Sequence, residues 1–281
     1  MFRKELINIY LSAGFDMFEA TSEVDFVLEV VLKLSSKDIL MGFDVAEDDR
    51  SEIINLIKKR VESKRPIQQI LGRAFFMGEK FFVSEHTLIP RPETEILVLE
   101  TLKLIEDKRD FKVLDIGSGS GCIPLMLAKN TVHTVIESVD ISSEALEVAK
   151  SNAVSFSLDP RVKFYYSDLF LNVKGQFDII VSNPPYIPFV QKDSLQSEVR
   201  DFEPKSALFA YDEKGIEFYK SIIESAPKYL NDGGHLLFEL GINQADDVKK
   251  VLESNNFSNI KIIKDLDNIE RVIIAKFCPD R

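Results

Sequence analysis

The sequence predicts an α/β fold, a mainly parallel sheet with helices on both faces, preceded by a small all-helical domain. Three observations predict it. From Phe111 onward, short β-branched apolar runs alternate with amphipathic stretches of helical period, the pattern of strand–helix–strand units. Residues 1–66 show helical periods only. Between the two, residues 67–90 hold paired aromatic runs about a glycine, the mark of a β-hairpin. At 281 residues the chain is long for one compact domain, so the expected division is 1–66 helical, 67–90 hairpin linker and 91–281 α/β.

In the first part, Phe2, Leu6, Ile9 and Tyr10 recur at helical spacing up to Gly14. Val24, Val27, Leu28, Val31, Leu32 and Leu34 make a second stripe, started by Thr21, Ser22 and Glu23. Ile53, Ile54, Leu56, Ile57 and Val61 make a third. Glu47, Asp48 and Asp49 open it, Lys58, Lys59 and Arg60 close it as the helix dipole prefers, and Pro66 ends it. Acids outnumber bases here, so this is not a basic arm. Two roles fit it equally well: docking a protein partner, or lying as a packing lid on the larger domain.

Ala74-Phe-Phe-Met and Lys80-Phe-Phe-Val flank Gly78-Glu79 as the hairpin. Pro90-Arg-Pro-Glu-Thr-Glu95 then opens a helix whose apolar face is Ile96, Leu97, Leu99, Leu102 and Ile105; proline and acids in a first turn are ordinary capping. The expected strands are 112–116, 134–139, 162–166, 177–181 and 235–240, closed by an antiparallel pair at 260–263 and 272–277. Helices are expected at about 121–130, 142–156, 214–230 and 243–254.

Composition narrows the class. Hydrophobic residues are 45%, enough for a real core, and no segment approaches the roughly 18 uninterrupted apolar residues of a membrane span. The start, Met1-Phe-Arg-Lys-Glu-Leu-Ile, lacks the apolar core of a signal peptide. Cys122 and Cys278 stand far apart with no metal-site spacing, so a reduced, cytoplasmic setting is expected, with no disulfide framework, metal or membrane partner. A net charge of −11 argues against extended direct nucleic-acid contacts.

The chemistry gathers at Phe177-Asp-Ile-Ile-Val-Ser-Asn-Pro-Pro-Tyr186, a buried strand that ends in a stiff polar loop. Pro184 and Pro185 fix two successive φ angles and hold Asn183 out of the helical region. Asn183 Oδ1 and the Pro184 carbonyl are two acceptors, and Tyr186 adds a flat ring. Such a cup fits a planar group bearing NH2. Holding both its hydrogens favours rehybridisation and aims the nitrogen lone pair at an electrophile, so the gain is orientation and electrostatics. His86, His133 and His235 are isolated, and no convincing acid–base pair is present.

The cofactor half follows the first strand: Val113-Leu-Asp-Ile-Gly-Ser-Gly-Ser-Gly121 runs into a helix. The glycine spacing departs from the dinucleotide pattern, because the third glycine comes one residue early and Cys122 takes its place. Asp115 just before the loop would repel a pyrophosphate and welcome a cationic, amino-acid-bearing ligand. Asp140 ends the second strand, placed for ribose hydroxyls. Asp168, beside Leu169 and Phe170, suits an adenine. S-adenosylmethionine satisfies all of these positions, with the contacts expected at Gly117, Ser118, Gly119, Ser120, Gly121, Asp140, Asp168 and Leu169, and with Asn183 bordering both ligands. Methyl transfer to a planar NH2 group is the reaction expected.

Pro90-Arg-Pro-Glu-Thr-Glu95, Asp115-Ile-Gly-Ser-Gly-Ser-Gly121, Asp140 and Asn183-Pro-Pro-Tyr186, in this order behind a helical domain, resemble the HemK/PrmC family of release-factor glutamine methyltransferases. Ile70-Leu-Gly72, Glu203-Pro204 and Asp267-x-x-x-Arg271 match as well, and the resemblance covers essentially the whole chain. It implies a Rossmann-like class I S-adenosylmethionine-dependent methyltransferase domain, seven-stranded with the last strand antiparallel. The implied reaction is N(5)-methylation of the glutamine in the Gly-Gly-Gln motif of class-I peptide chain release factors. Asn183 and the Pro184 carbonyl would hold the amide, Pro185 and Tyr186 would border it with the Tyr186 ring against it, and the helical domain, with the hairpin as hinge, would help grip the release factor. A Trp is common in the family at Leu169, and this chain has none, which thins the adenine wall.

Three other readings stay open on the residues. An adenine-N6 DNA or other nucleic-acid methyltransferase shares the Asn-Pro-Pro-Tyr cup but calls for a basic recognition region this chain lacks. A ribosomal-protein glutamine methyltransferase shares the cup and the acidic strand ends. A cofactor-binding regulatory module would have no use for the Asn183 acceptors.

Overall fold

The computed structural model describes residues 2–105 and 110–279; residues 1 and 281, the outer limits of the two expected domains, lie outside the described residues. The chain divides into two compact units. One runs up to Arg73 and takes in Gln196–Phe202; the other holds Ala74–Leu195 and the chain from Glu203. The boundaries expected from sequence put 67–73 in the hairpin linker and 196–202 in the α/β part, whereas both belong to the helical unit.

The helical unit contains α1 (Phe2–Ser12), α2 (Met17–Val31), α3 (Ser36–Met41), α4 (Glu47–Ser63) and α5 (Ile67–Leu71). Their apolar faces meet in one core that includes Leu6, Tyr10, Val24, Leu28, Ile53 and Ile57. Asp16 Oδ1 caps α2 by accepting from Glu19 N at 2.8 Å. The second stripe was expected to reach Leu34, but α2 ends at Val31 and Lys33 turns through φ +56°. Ser35 and Asp38 then form a reciprocal capping box that starts α3, a helix absent from the expectations.

The end of α4 departs further. Arg60 does not sit at the solvent to face the helix dipole. It is wholly buried, paired with Glu19, Glu23 and Glu198 at 3.2, 2.9 and 2.6 Å, with its guanidinium 4.8 Å from the Phe15 ring centre. A buried guanidinium is tolerated when carboxylates and an aromatic face compensate its lost hydration. Glu198 comes from the Ser197–Phe202 helix, which Gln69 also holds through Nε2 donating to Phe202 O at 2.9 Å.

From the last residue of the helical unit onward, β1 (Arg73–Phe76) and β2 (Glu79–Phe82) form the hairpin, turned by Gly78 at φ +76°. Phe76 and Phe81 meet edge to face and are buried in the core beneath the sheet. Buried Asn152 accepts from Phe82 N at 2.6 Å and donates to Phe82 O and Ser120 O, so the hairpin is fastened to the α/β core. The elements that follow are α6 (Thr94–Ile105), β3 (Lys112–Ile116), α7 (Cys122–Asn130), β4 (Val135–Asp140), α8 (Ser143–Ser155), β5 (Val162–Tyr166), β6 (Phe177–Ser182) and β7 (Ile187–Pro188). After α9, the Ser197–Phe202 helix, come α10 (Lys205–Leu208), β8 (Phe209–Ala210), α11 (Glu217–Ser225), β9 (Leu230–Glu239), α12 (Ala245–Glu253), β10 (Phe257–Lys264) and β11 (Glu270–Phe277).

Seven strands form one sheet in the order β10-β11-β9-β6-β3-β4-β5, with β11 antiparallel to both neighbours and the pairs from β9 to β5 parallel. This is the mixed seven-stranded sheet that the resemblance implies. Buried cores lie on its two faces, one around Leu114, Ile180 and Phe238, the other around Val113, Ile179 and Leu237, as alternation along buried strands requires. Strand β10 begins at Phe257 rather than 260, and α5, α9, α10, β7 and β8 are absent from the expectations, while two expected elements shift their bounds most. Helix α11 stops at Ser225 instead of running to 230, because Pro227 lacks the N–H the helix needs, and a 3-10 turn follows. Strand β9 begins at Leu230 rather than 235, and a register shift against β6 absorbs Asn231-Asp-Gly-Gly234.

Register sets the site. Ile116 pairs with Val139 and with Ser182, and Ser182 pairs with Phe238. Gly117, Asp140, Asn183 and Glu239 therefore stand in a row at the carboxyl ends of β3, β4, β6 and β9, where open α/β sheets bind ligands.

Candidate active site

A cavity of about 330 Å³ opens at this row, large enough for a small-molecule ligand. Gly117, Ser118, Gly119 and Ser120 line it, as do Asp140, Asp168, Leu169, Asn183, Pro184 and Pro185. Gly121 and Tyr186, both expected there, do not. Gly121 lies outside: at φ +81°, a Cβ on it would sit 3.1 Å from Leu125 and 3.2 Å from Ala149, so its role is to let α7 approach α8. Tyr186 is also outside the lining. Its hydroxyl donates to Glu239 Oε1 at 3.3 Å, and burial beside the Glu239 carboxylate raises its pKa.

The glycine loop is held from below. Gly117 N and Ser118 N donate to Val139 O at 2.8 and 3.0 Å. Ser118 Oγ lies 2.5 Å from Ser138 Oγ, which donates to Asp115 Oδ2 at 2.6 Å. Asp115 is wholly buried and does not line the cavity. Burial, with the Asp140 charge adding, pushes its carboxyl up to about 7 against the Ser138 bond, and its Oδ1 has no partner among the described residues.

Asp140 accepts Gly119 N on Oδ2 and Ser142 N on Oδ1, both at 2.8 Å. Each oxygen keeps a second lone pair. Burial raises its pKa, and the backbone N–H groups of Gly119, Ser142 and Ile141 oppose that rise. Strand β5 ends at Tyr166, as expected, and Asp168 lies two residues beyond it. Leu169 adopts φ +45° and lines the cavity. Phe170, expected as part of an adenine wall, turns away: it is 5% exposed and stacks on Tyr229 at 4.5 Å.

In the loop after β6, Asn183 Nδ2 donates to Thr94 Oγ1 at 3.3 Å, and Thr94 Oγ1 donates to Glu239 Oε2 at 2.6 Å. Among the described residues Asn183 Oδ1 accepts no hydrogen bond. Glu239 is wholly buried, and burial pushes it up to about 7 against the bonds from Thr94 and Tyr186. Gln244 Nε2 donates to Tyr186 O at 2.8 Å. A Cβ on Gly215 would lie 2.2 Å from Tyr186 O, and one on Gly241 would lie 2.9 Å from the Tyr186 ring, so the backbone closes tightly about this residue. Glu203 accepts from Ile89 N and from Arg91, which also lines the cavity. Near the chain's end, Arg271 pairs with Asp265 at 2.7 Å, not with Asp267.

Thr94, Glu239, Gln244 and Gly215 were missed in the sequence. Thr94 sits inside a motif that capping explains without it. Glu239 did carry a signal, as a fourth acid ending an apolar strand run. His86, isolated in the sequence, is exposed and also lines the cavity.

Residues 93–200 match the family model described as methyltransferase small domain. The release factor glutamine methyltransferase of Fusobacterium nucleatum is 38% identical over 90% of this chain and 72% of its own length. The one from Flavobacterium psychrophilum is 36% identical over 95% of each chain, and that of Bacteroides thetaiotaomicron is 38% identical over 87% of this chain and 88% of its own. Among solved structures, a methyltransferase from Pyrococcus furiosus overlays with a TM-score of 0.55 at 19% identity, over 79% of this chain and 98% of that one. The catalytic domain of hMettl16, solved in complex with the MAT2A 3′UTR hairpin 6, overlays with a TM-score of 0.61 at 14% identity, over 90% and 93%. These two show the fold alone, that of a class I methyltransferase. At this identity and coverage in its curated relatives, the chain belongs to the release factor glutamine methyltransferase family.

Proposed function

We propose that this protein transfers a methyl group from S-adenosylmethionine to the side-chain amide nitrogen N(5) of the glutamine in the Gly-Gly-Gln motif of class-I release factors. The observation that carries the reading is the pair of half-sites in one cavity: a glycine loop tied to Asp140, and Asn183 with its amide N–H engaged by Thr94 and its Oδ1 unengaged.

The residues present fit the cofactor. Gly119 has open space where a Cβ would stand, Asp140 keeps lone pairs for two hydroxyls, and the buried Asp115 carboxylate stands behind the loop. Gly117, Ser118, Gly119 and Ser120 would cradle the amino-acid end, Asp140 the ribose, and Asp168 with Leu169 the adenine. S-adenosylmethionine, when bound, supplies an electrophilic methyl group on a sulfonium. Asn183 Oδ1 and the Pro184 carbonyl accept the two N–H bonds of the substrate amide. Its nitrogen lone pair, otherwise delocalised, is thereby turned toward the methyl group. The amide proton becomes acidic as the new C–N bond forms, so the chain needs no dedicated base. Pro185 borders the amide, and Tyr186 acts by setting the shape of the loop.

The helical unit is read as a docking surface for the release factor. Four large apolar side chains in it, Met17, Phe18, Leu40 and Met41, are exposed, which supports that reading. The compartment is read as cytoplasm, where translation takes place. Two free cysteines support this, and no described helix is long and apolar enough to cross a membrane.

Labelled S-adenosylmethionine tests the reading, offered with purified release factor, a Gly-Gly-Gln→Gly-Gly-Ala variant, ribosomal proteins and DNA. Label on the wild-type factor alone is expected. Label on DNA or on a ribosomal protein instead overturns the substrate, and no label anywhere overturns the reaction.

A further inference from the structure

We propose that Glu239 is a positioning residue for methyl transfer, holding the Thr94 hydroxyl so that the Asn183 amide presents Oδ1, not N–H, to the substrate. The inference rests on the reaction proposed above.

The argument is one of hydrogen-bond polarity. A primary amide has nearly the same shape at both ends, so packing alone does not decide which end faces a ligand. The wrong end would set N–H against the N–H of the substrate amide. In its ionised form the Glu239 carboxylate accepts only, so the two hydroxyls on it, Thr94 at 2.6 Å and Tyr186 at 3.3 Å, must both donate. With its one hydrogen spent on Glu239, Thr94 offers only lone pairs to Asn183. The amide then turns Nδ2 to Thr94 at 3.3 Å, which leaves Oδ1 for the substrate. Glu239 is 2% exposed and Thr94 3%, so this order is largely screened from solvent. The same carboxylate tethers Tyr186, whose backbone oxygen Gln244 holds from the other side.

The test compares T94V, T94S and E239Q with the wild type at mildly alkaline pH, using the full chain and purified release factor. Turnover is read beside calorimetric affinity for S-adenosylmethionine. T94V keeps the shape and removes the hydroxyl; T94S keeps the hydroxyl; E239Q keeps the shape and adds a donor where only acceptors stood. The expected outcome is a kcat loss on the order of 100-fold in T94V and E239Q, cofactor affinity within about twofold, and T94S within about threefold of wild type. Wild-type turnover in T94V, T94S as slow as T94V, or cofactor affinity lost in parallel overturns the inference. Should T94V fail to fold, full turnover in E239Q overturns it alone. A wild-type protein that leaves the release factor unlabelled overturns the proposed reaction and this inference together.

Discussion

Thr94 Oγ1 accepts a hydrogen bond from Asn183 Nδ2 at 3.3 Å, joining the start of α6 to the loop after β6 across 89 residues of sequence. The proline-rich turn before α6 is therefore more than a helix cap. It sets one wall of the cavity and meets the Asn-Pro-Pro-Tyr loop there.

Asn183→Ala removes one of the two acceptors proposed for the substrate amide. Turnover is expected to fall by about 100- to 1,000-fold, the scale for deleting one preorganised polar contact in an active site. Calorimetry should show S-adenosylmethionine affinity near that of the wild type. Loss of cofactor binding together with turnover would assign Asn183 a structural role.

Asp140→Ala should behave in the opposite sense. It removes the carboxylate that receives Gly119 N and Ser142 N and that is proposed to accept from the ribose. The expected loss of cofactor affinity is about 1–3 kcal/mol, the scale for a hydrogen bond to a charged group. An unchanged dissociation constant would take Asp140 out of the cofactor site.

Glu239 gives stability a pH dependence of definite sign. Burial lifts its carboxyl from 4.5 to about 7, with Glu93 adding to the rise and Thr94, Tyr186 and Arg271 opposing it. The Tyr219 hydroxyl donates to its backbone oxygen, and half-buried Cys122 also feels its charge. The folded protein holds a proton there that the unfolded chain releases. The stabilisation is thus full below pH 4.5 and is lost as pH rises through about 7. Asp115 acts with the same sign. Denaturant titrations between those limits should show the wild type losing up to about 3 kcal/mol more than E239Q. Parallel curves would exclude Glu239 as the source.

Arg60→Ala leaves Glu19, Glu23 and Glu198 facing one another without the guanidinium. A stability loss of about 3–5 kcal/mol is expected, the scale for breaking a buried ion pair by removing one partner. Hydrogen exchange should place the loss in α2 and α4, with cofactor affinity unchanged. Exchange rates in α2 and α4 equal to those of the wild type would show that the network contributes nothing net.

Much of the site was legible because its chemistry stands at strand ends. Asp140 and Asn183 follow apolar runs whose period gives them away, and the Gly117–Gly119 turn has no other local use. What local pattern cannot carry is direction. Leu169 and Phe170 are adjacent apolar residues after a strand, yet Leu169 lines the cavity while Phe170 stacks on Tyr229, a partner distant in sequence. Gly121 has the spacing of a ligand glycine, but Ala149 on another helix decides its role. Arg60 ends its helix among lysines as a solvent-facing residue would. Only Glu19, Glu23 and Glu198, the last 138 residues away, explain why it is buried.

The segment Gln196–Phe202 makes the helical unit discontinuous, with the backbone passing between units after Arg73, after Leu195 and after Phe202. A fragment cut at Arg73 would leave Arg60 without Glu198, and Gln69 without the Phe202 carbonyl. The remainder would carry a short helix stripped of its partners. The helical unit is thus not a detachable N-terminal cassette: an exchange between relatives that aims to transplant its preferences must graft both pieces, or it will create two incomplete cores in place of one hybrid.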